Sequence, residues 1–301
     1  MKRWDYISEF YDSDLNKTRS LDDCACPSFF KLGSKWVLLY ISHYNGVQYY
    51  VGEYSGGKFF PEKHEKMNWP GGVFFAVESL LDDRDRRIIW GWVPETRSRA
   101  TQHASGWSGV MSMPRVVSMT DDGQINVDPP EEFERLRLNY RKLVGLQLYR
   151  SYEALLNDIS GDSLELLMRV GPLNEARFGI KVRCSPDGQE ESAILYDSEK
   201  ATITIDTRKS SLCDDIVQPF PYPWAAKMPD IDSMVPPFSR NGEHTIKNVF
   251  LQEVPFSVEK AERLQLRVYI DRSILEIYLN SRICVTQRIY PSRKDSTGVK
   301  L

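Results

Sequence analysis

Apolar and aromatic residues in the first 120 positions fall in short runs. "KWVLLYISH" (35–43), "VQYYVGEY" (47–54), "FFAVESLL" (74–81) and "RRIIWGWV" (86–93) are each of strand length. They are rich in β-branched and aromatic residues, which suit a pleated, half-buried surface. Turn pairs separate them: Asn45-Gly46, Gly56-Gly57, Gly71-Gly72 and Asp82-Asp83. "GVMSMPRVVSM" (109–119) and a "TDDG" turn (120–123) continue the series. Such spacing predicts an antiparallel, all-β fold.

The pattern changes at "PPEEFERLRLNYRKL" (129–143). Two prolines at its start and glutamates in its first turns predict a helix. It reads as a connector between residues 1–128 and 144–301. Beyond it the strands return as "SLELLMRV" (163–170), "FGIKVRC" (178–184), "SAILYD" (192–197), "ATITID" (201–206), "LQLRVYID" (264–271) and "SILEIYLN" (273–280). Their alternation of apolar and polar residues predicts a β-sandwich. The proline-rich stretch 209–247 predicts a long loop within it.

Composition narrows the function classes. The chain has 301 residues, room for two ordinary domains, and a net charge of −3. That balance gives no reason to expect nucleic acid or an anionic membrane as a partner. No apolar run reaches the roughly 20 residues that span a bilayer. "MKRWDYISEF" lacks the apolar core of a signal peptide, so a cytoplasmic location is the default. Secretion stays open if Met1 is not the true start. The five cysteines are odd in number and irregularly spaced, which argues for buried or semi-buried thiols rather than a disulfide framework. Neither they nor the four histidines have metal-ligand spacing, and no cofactor is expected.

Several segments, in order, resemble glycoside hydrolase family 32, the invertase, inulinase and levanase group. "WDYISEF" resembles the strand before the family's Glu-Cys-Pro motif. "ACPSFFKLGSKWVLLYISH" resembles that motif and the strand after it. "FFAVESLLDDRDRRIIWGWVPE", "GWSGVMSMPRVVSM" and "LRVYIDRSILEIYLNSRICVTQRIYP" resemble later segments. The resemblance implies the C-terminal blades of a five-bladed β-propeller followed by a β-sandwich. It also implies a small carbohydrate as partner: sucrose, a fructo-oligosaccharide or a fructan.

Such enzymes resemble other retaining glycosidases in using two carboxylates, about 5–5.5 Å apart, as nucleophile and acid/base. The family's Asn-Asp-Pro-Asn-Gly nucleophile segment and its Arg-Asp-Pro triplet are absent from these 301 residues. The resemblance therefore predicts a chain truncated at its N-terminus and inactive alone. "STGVKL" at the other end likewise predicts a missing strand.

The family's acid/base glutamate precedes Cys-Pro, where this chain has Ala25. Three readings stand: a dead site, replacement by another carboxylate, or a segment aligned one or two residues out. Asp23 would share a face with Ala25 in an extended chain; the plainer alternative is a solvated turn. Glu78 lies mid-strand between apolar residues, where a carboxylate is costly unless paired or functional; the plainer alternative is an outward-facing glutamate. Trp69, Phe75 and Trp92 are candidates to stack on a sugar ring, and His43 ends a strand near them. Each is also a candidate structural residue, Trp92 and His43 foremost. Asp271, Arg272, Ser273, Glu276 and Asn280 read as a structural polar network. The rival to a glycosidase is a non-catalytic carbohydrate-binding protein.

Overall fold

The computed structural model describes residues 3–11, 24–42, 45–147, 153–171, 177–216, 219–220, 247–259 and 262–301. It is all-β with little helix, and its sheets are open. β1 (Ala25–Leu32), β2 (Lys35–Ser42), β3 (Gly46–Ser55) and β4 (Lys58–Lys66) pair antiparallel in chain order. Gly56 and Gly57 join the last two, at φ 59° and 82°. A two-residue turn that follows the strand twist needs this left-handed pair. β4 went unread in the sequence because "KFFPEKHEK" is charged and holds Pro61. It is the edge strand, where a missing N–H costs no ladder bond, and the pairing shifts register between Val51 and Gly52 beside that proline.

The second sheet holds β5 (Phe75–Leu81), β6 (Arg87–Val93), β7 (Val110–Met111), β8 (Arg115–Met119) and β9 (Ile125–Asp128), with β7 pairing only to β6. Helix α1 (Arg99–Ser105) lies between β6 and β7. Ser98 caps it by accepting from the Thr101 N–H, and Gly106 ends it at φ 75°. One face of each sheet meets the other. Val37, Leu39, Ile41 and Val51 from the first share a core with Val77, Ile89, Val117 and Val127 from the second.

Two expected elements differ. "WDYISEF" is not a strand; Trp4, Tyr6 and Ile7 are exposed, and no described strand pairs with them. Phe10 instead sets its ring edge-on to Phe29 at 4.8 Å, on the outer face of the first sheet. The connector helix over 129–143 is also absent. Only a 3₁₀ turn forms, Glu131–Leu136, and the chain then runs irregularly past Leu138 and Leu143. The three leucines are exposed, so no apolar face exists to hold a helix against a core.

The C-terminal half has β10 (Leu155–Ser160), β11 (Ser163–Val170), β12 (Arg177–Cys184), β13 (Ser192–Asp197), β14 (Thr202–Asp206), β15 (Pro219–Phe220), β16 (Lys247–Asn248), β17 (Leu251–Pro255), β18 (Leu264–Asp271), β19 (Ile274–Leu279), β20 (Ile283–Arg288) and β21 (Gly298–Lys300). One sheet runs β10-β21-β12-β13-β14-β17 and the other β11-β18-β19-β20; β15 and β16 pair separately. The loop expected over 209–247 lies largely outside the described residues. Leu264, Leu266, Val268 and Ile270 alternate along β18 into the core between the two larger sheets. Tyr269, Tyr278 and Cys284 point the other way, into the core of the N-terminal half. The four-stranded sheet is thus covered on both faces, which is why β19 is buried along its whole length.

Candidate functional site

The stretch Ala25-Cys26-Pro27 forms a β-bulge. Ala25 pairs with Ile41 and Ser28 with Leu39, so Cys26 and Pro27 together face Tyr40. Cys26 sits at φ 46°, left-handed and immediately before a proline. That conformation is sterically disfavoured and persists only where the surroundings impose it. Bulges of this kind re-aim a side chain.

β5 repeats the device. Phe75 pairs with Trp92 and Glu78 with Trp90, so Ala76 and Val77 together face Gly91; Ala76 lies at φ 45°. The two strands run side by side in the same direction. Ser28 and Ser79 share a hydrogen bond of 2.9 Å, and further along Arg87, the partner of Leu81, stacks over Phe30 at 4.6 Å. Both bulges therefore lie at one end of the paired strands, where Ala25 and Ala76 pack partly buried against the core. A Cβ at Gly91 would meet the Phe75 carbonyl oxygen at 2.7 Å and the Phe74 ring at 2.9 Å. Gly91→Ala is expected to cost about 1–3 kcal/mol, read as a lower urea midpoint.

The expected site residues divide around this end. Phe75 is in the core, and Trp92 stands against it edge-on at 6.2 Å while remaining 36% exposed. Trp92 is thus the ring with an open face and Phe75 the packing residue, the reverse of the order the sequence suggested. Gly109, at φ 69°, lies against the Trp92 indole, leaving no room for a side chain. Trp69 is elsewhere, half-buried against the sandwich core. Glu78 is exposed and shares its face of β5 with Leu80, opposite the face from which Ser79 reaches β1. The burial cost that singled it out does not arise. Asp23 and His43 lie outside the described residues. Cys24, Cys26 and Cys213 are exposed, not buried as expected, while Cys184 and Cys284 are buried.

Glu95 and Glu276 are buried carboxylates where the two halves meet, and Glu190 is buried within the C-terminal half; sequence reasoning passed over Glu95 and Glu190. Glu95 accepts from Arg97 Nε at 2.9 Å, from Arg288 Nη2 at 3.3 Å and from the Tyr290 hydroxyl. Burial alone would push its carboxyl up. Hydrogen bonds from Arg97 and Tyr290 and the charge of Arg288 outweigh burial and hold it below the usual range. A carboxylate so held stays ionised and is poorly placed to give up a proton. Glu276, read in the sequence as structural, accepts from Arg115 Nη2 at 2.7 Å and from Thr286 Oγ1 at 3.1 Å. Among the described residues no group of three His, Cys, Asp or Glu side chains is placed to hold a metal.

Residues 1–129 match the model of the glycosyl hydrolases family 32 N-terminal domain, and residues 132–301 match that of the family 32 C-terminal domain. The chain belongs to glycosyl hydrolase family 32. It is 26% identical to a fructan 1-exohydrolase of Aegilops speltoides over 73% of this chain and 39% of that protein. It is 26% identical to levanase of Bacillus subtilis over its full length and 43% of the levanase. The crystal structure of fructan 1-exohydrolase IIa from Cichorium intybus superposes with a TM-score of 0.73 at 22% identity, covering 92% of this chain and 58% of that one. The chain thus spans about two fifths of the length of these curated relatives.

Proposed function

We propose that the chain is part of a β-fructofuranosidase-type glycosidase acting on sucrose or β-fructans by the retaining two-carboxylate route. In this reading its first two sheets are blades of a five-bladed propeller. Family membership supports it, as do relatives named fructan 1-exohydrolase and levanase and a similar fold solved in complex with 1-kestose. The observation that carries it is the pair of bulges at one end of β1 and β5. In this reading the residue before the strained Cys26-Pro27 step stands where the family carries its acid/base, and here it is Ala25.

A methyl group carries no proton, so the acid/base comes from another carboxylate, with Glu78 or Asp23 the candidates. The nucleophile comes from a segment other than these 301 residues, and these residues alone release no fructose. Ala25 also favours a second reading: a carbohydrate-binding protein that keeps the Trp92 face and has no hydrolytic chemistry.

The test is fructose release from sucrose, 1-kestose and levan by the product of the whole reading frame, with calorimetric titration of 1-kestose alongside. Glu78→Gln or Asp23→Asn is expected to lower kcat. Full rates in both variants would remove both residues from the acid/base role. Binding of 1-kestose without fructose release would establish the binding protein instead.

A further inference from the structure

A cleft of about 630 Å³ opens between α1 and the sandwich, and no residue of β1 or β5 lines it. One wall carries Arg183 and Arg272; the other carries Asp214 and Asp215 with Ser98 and Thr101 at the start of α1. Arg183 is only 7% exposed. Its Nε donates to the Ser296 carbonyl at 2.7 Å and its Nη1 to the Arg272 carbonyl at 3.0 Å, and no carboxylate bonds it among the described residues. Asp162 and Glu190 act on it only through space. The Arg272 guanidinium has no hydrogen bond or ion pair among the described residues.

Both arginines also have left-handed backbones, at φ 52° and 51°. That conformation is costly for a long side chain and is concentrated at functional sites. For Arg183 the cause is a further bulge, between Lys181 and Cys184 of β12, and for Arg272 it is the two-residue turn between β18 and β19. Arg97, which also lines the cleft, differs because Glu95 already neutralises it.

A nearly buried guanidinium held by carbonyls alone is expensive until an anion joins it. Paired guanidinium groups match the oxygens of a phosphate. The facing wall has the opposite chemistry. Asp215 accepts from Thr101 Oγ1 at 2.5 Å, and Asp214 beside it is a further acceptor. Such acceptors suit hydroxyl groups, and the volume lies in the range of small-molecule pockets. We propose that this cleft binds a phosphorylated sugar, its phosphate on Arg183 and Arg272 and its hydroxyls on Asp214 and Asp215. The proposal does not rest on the fructosidase reading.

The test is calorimetric titration with glucose 6-phosphate, inorganic phosphate and glucose at constant ionic strength. Glucose 6-phosphate is expected to bind more tightly than phosphate, and glucose not measurably. Arg272→Asn should weaken the sugar phosphate at least about tenfold, because asparagine tolerates the left-handed backbone while the charge is lost. An unchanged melting curve would show that this variant is folded; Arg183→Lys, which disturbs two backbone contacts, is the secondary variant. No heat with glucose 6-phosphate, or equal binding by Arg272→Asn, overturns the proposal. Equal affinity for free phosphate overturns its sugar half.

Discussion

Glu276→Gln is expected to destabilise the protein by about 3–5 kcal/mol, and Arg115→Met by a similar amount. The pair is fully buried, with side-chain exposures of 0% and 1%, and it joins the second sheet to the four-stranded sheet of the sandwich. Arg115 lies over the Phe74 ring at 4.0 Å and donates from Nη1 to the Cys284 carbonyl at 3.3 Å. Cys284 Sγ donates in turn to Glu276 Oε2 at 3.2 Å. Removing either charge strands the other where water does not reach. Removing both is different: Arg115→Met with Glu276→Leu leaves no buried charge, and its cost should fall well below the sum of the single costs. Urea midpoints of the four proteins measure this coupling. Additive losses would show that the two side chains do not act as a pair.

That pair also marks where sequence reading stops. The strands were legible wherever alternation faced a core: β11, β13 and β18 lie on the stretches their patterns predicted. β19 was legible because it is apolar at every position but Glu276. The charged edge strand β4 and the seven-residue α1 were not, since α1 buries no residue and leaves no apolar stripe. The opposite error came at 129–143, where helix-favouring residues had no core to pack on.

Ala25 was singled out only through the resemblance of Cys26-Pro27 to a family motif, while the bulge there follows from how β1 pairs with β2. The matching bulge at Ala76 has no local mark. It follows from how β5 pairs with β6 across Gly91, and so the facing direction of Glu78 could not be read. Arg115 and Glu276 stand 161 positions apart, and only the packing of the two halves brings them together.

Glu190→Gln is expected to cost on the order of 3 kcal/mol near neutral pH. The Glu190 carboxylate is buried at 0% exposure and accepts from five donors. Its Oε1 takes the Leu212 N–H at 3.0 Å, the Ser292 N–H at 2.8 Å and the Ser292 hydroxyl at 2.6 Å. Its Oε2 takes the Arg293 N–H at 3.2 Å and the Ser296 hydroxyl at 2.5 Å. An amide would turn an NH₂ group toward donors and leave them unpaired. Burial by itself would push the carboxyl up, but the hydrogen bonds from Ser292 and Ser296 outweigh it and hold the group below 4.5. Its contribution is therefore complete above that value and is lost as pH falls through the lower folded-state value. The gap in urea midpoint between the native protein and Glu190→Gln should be widest at pH 7 and should narrow as pH falls below about 4.5. A gap of the same width at pH 7 and pH 3 would mean that the charge of Glu190 does not hold these loops together. Such a result would assign the loss to the amide NH₂ that replaces an acceptor oxygen.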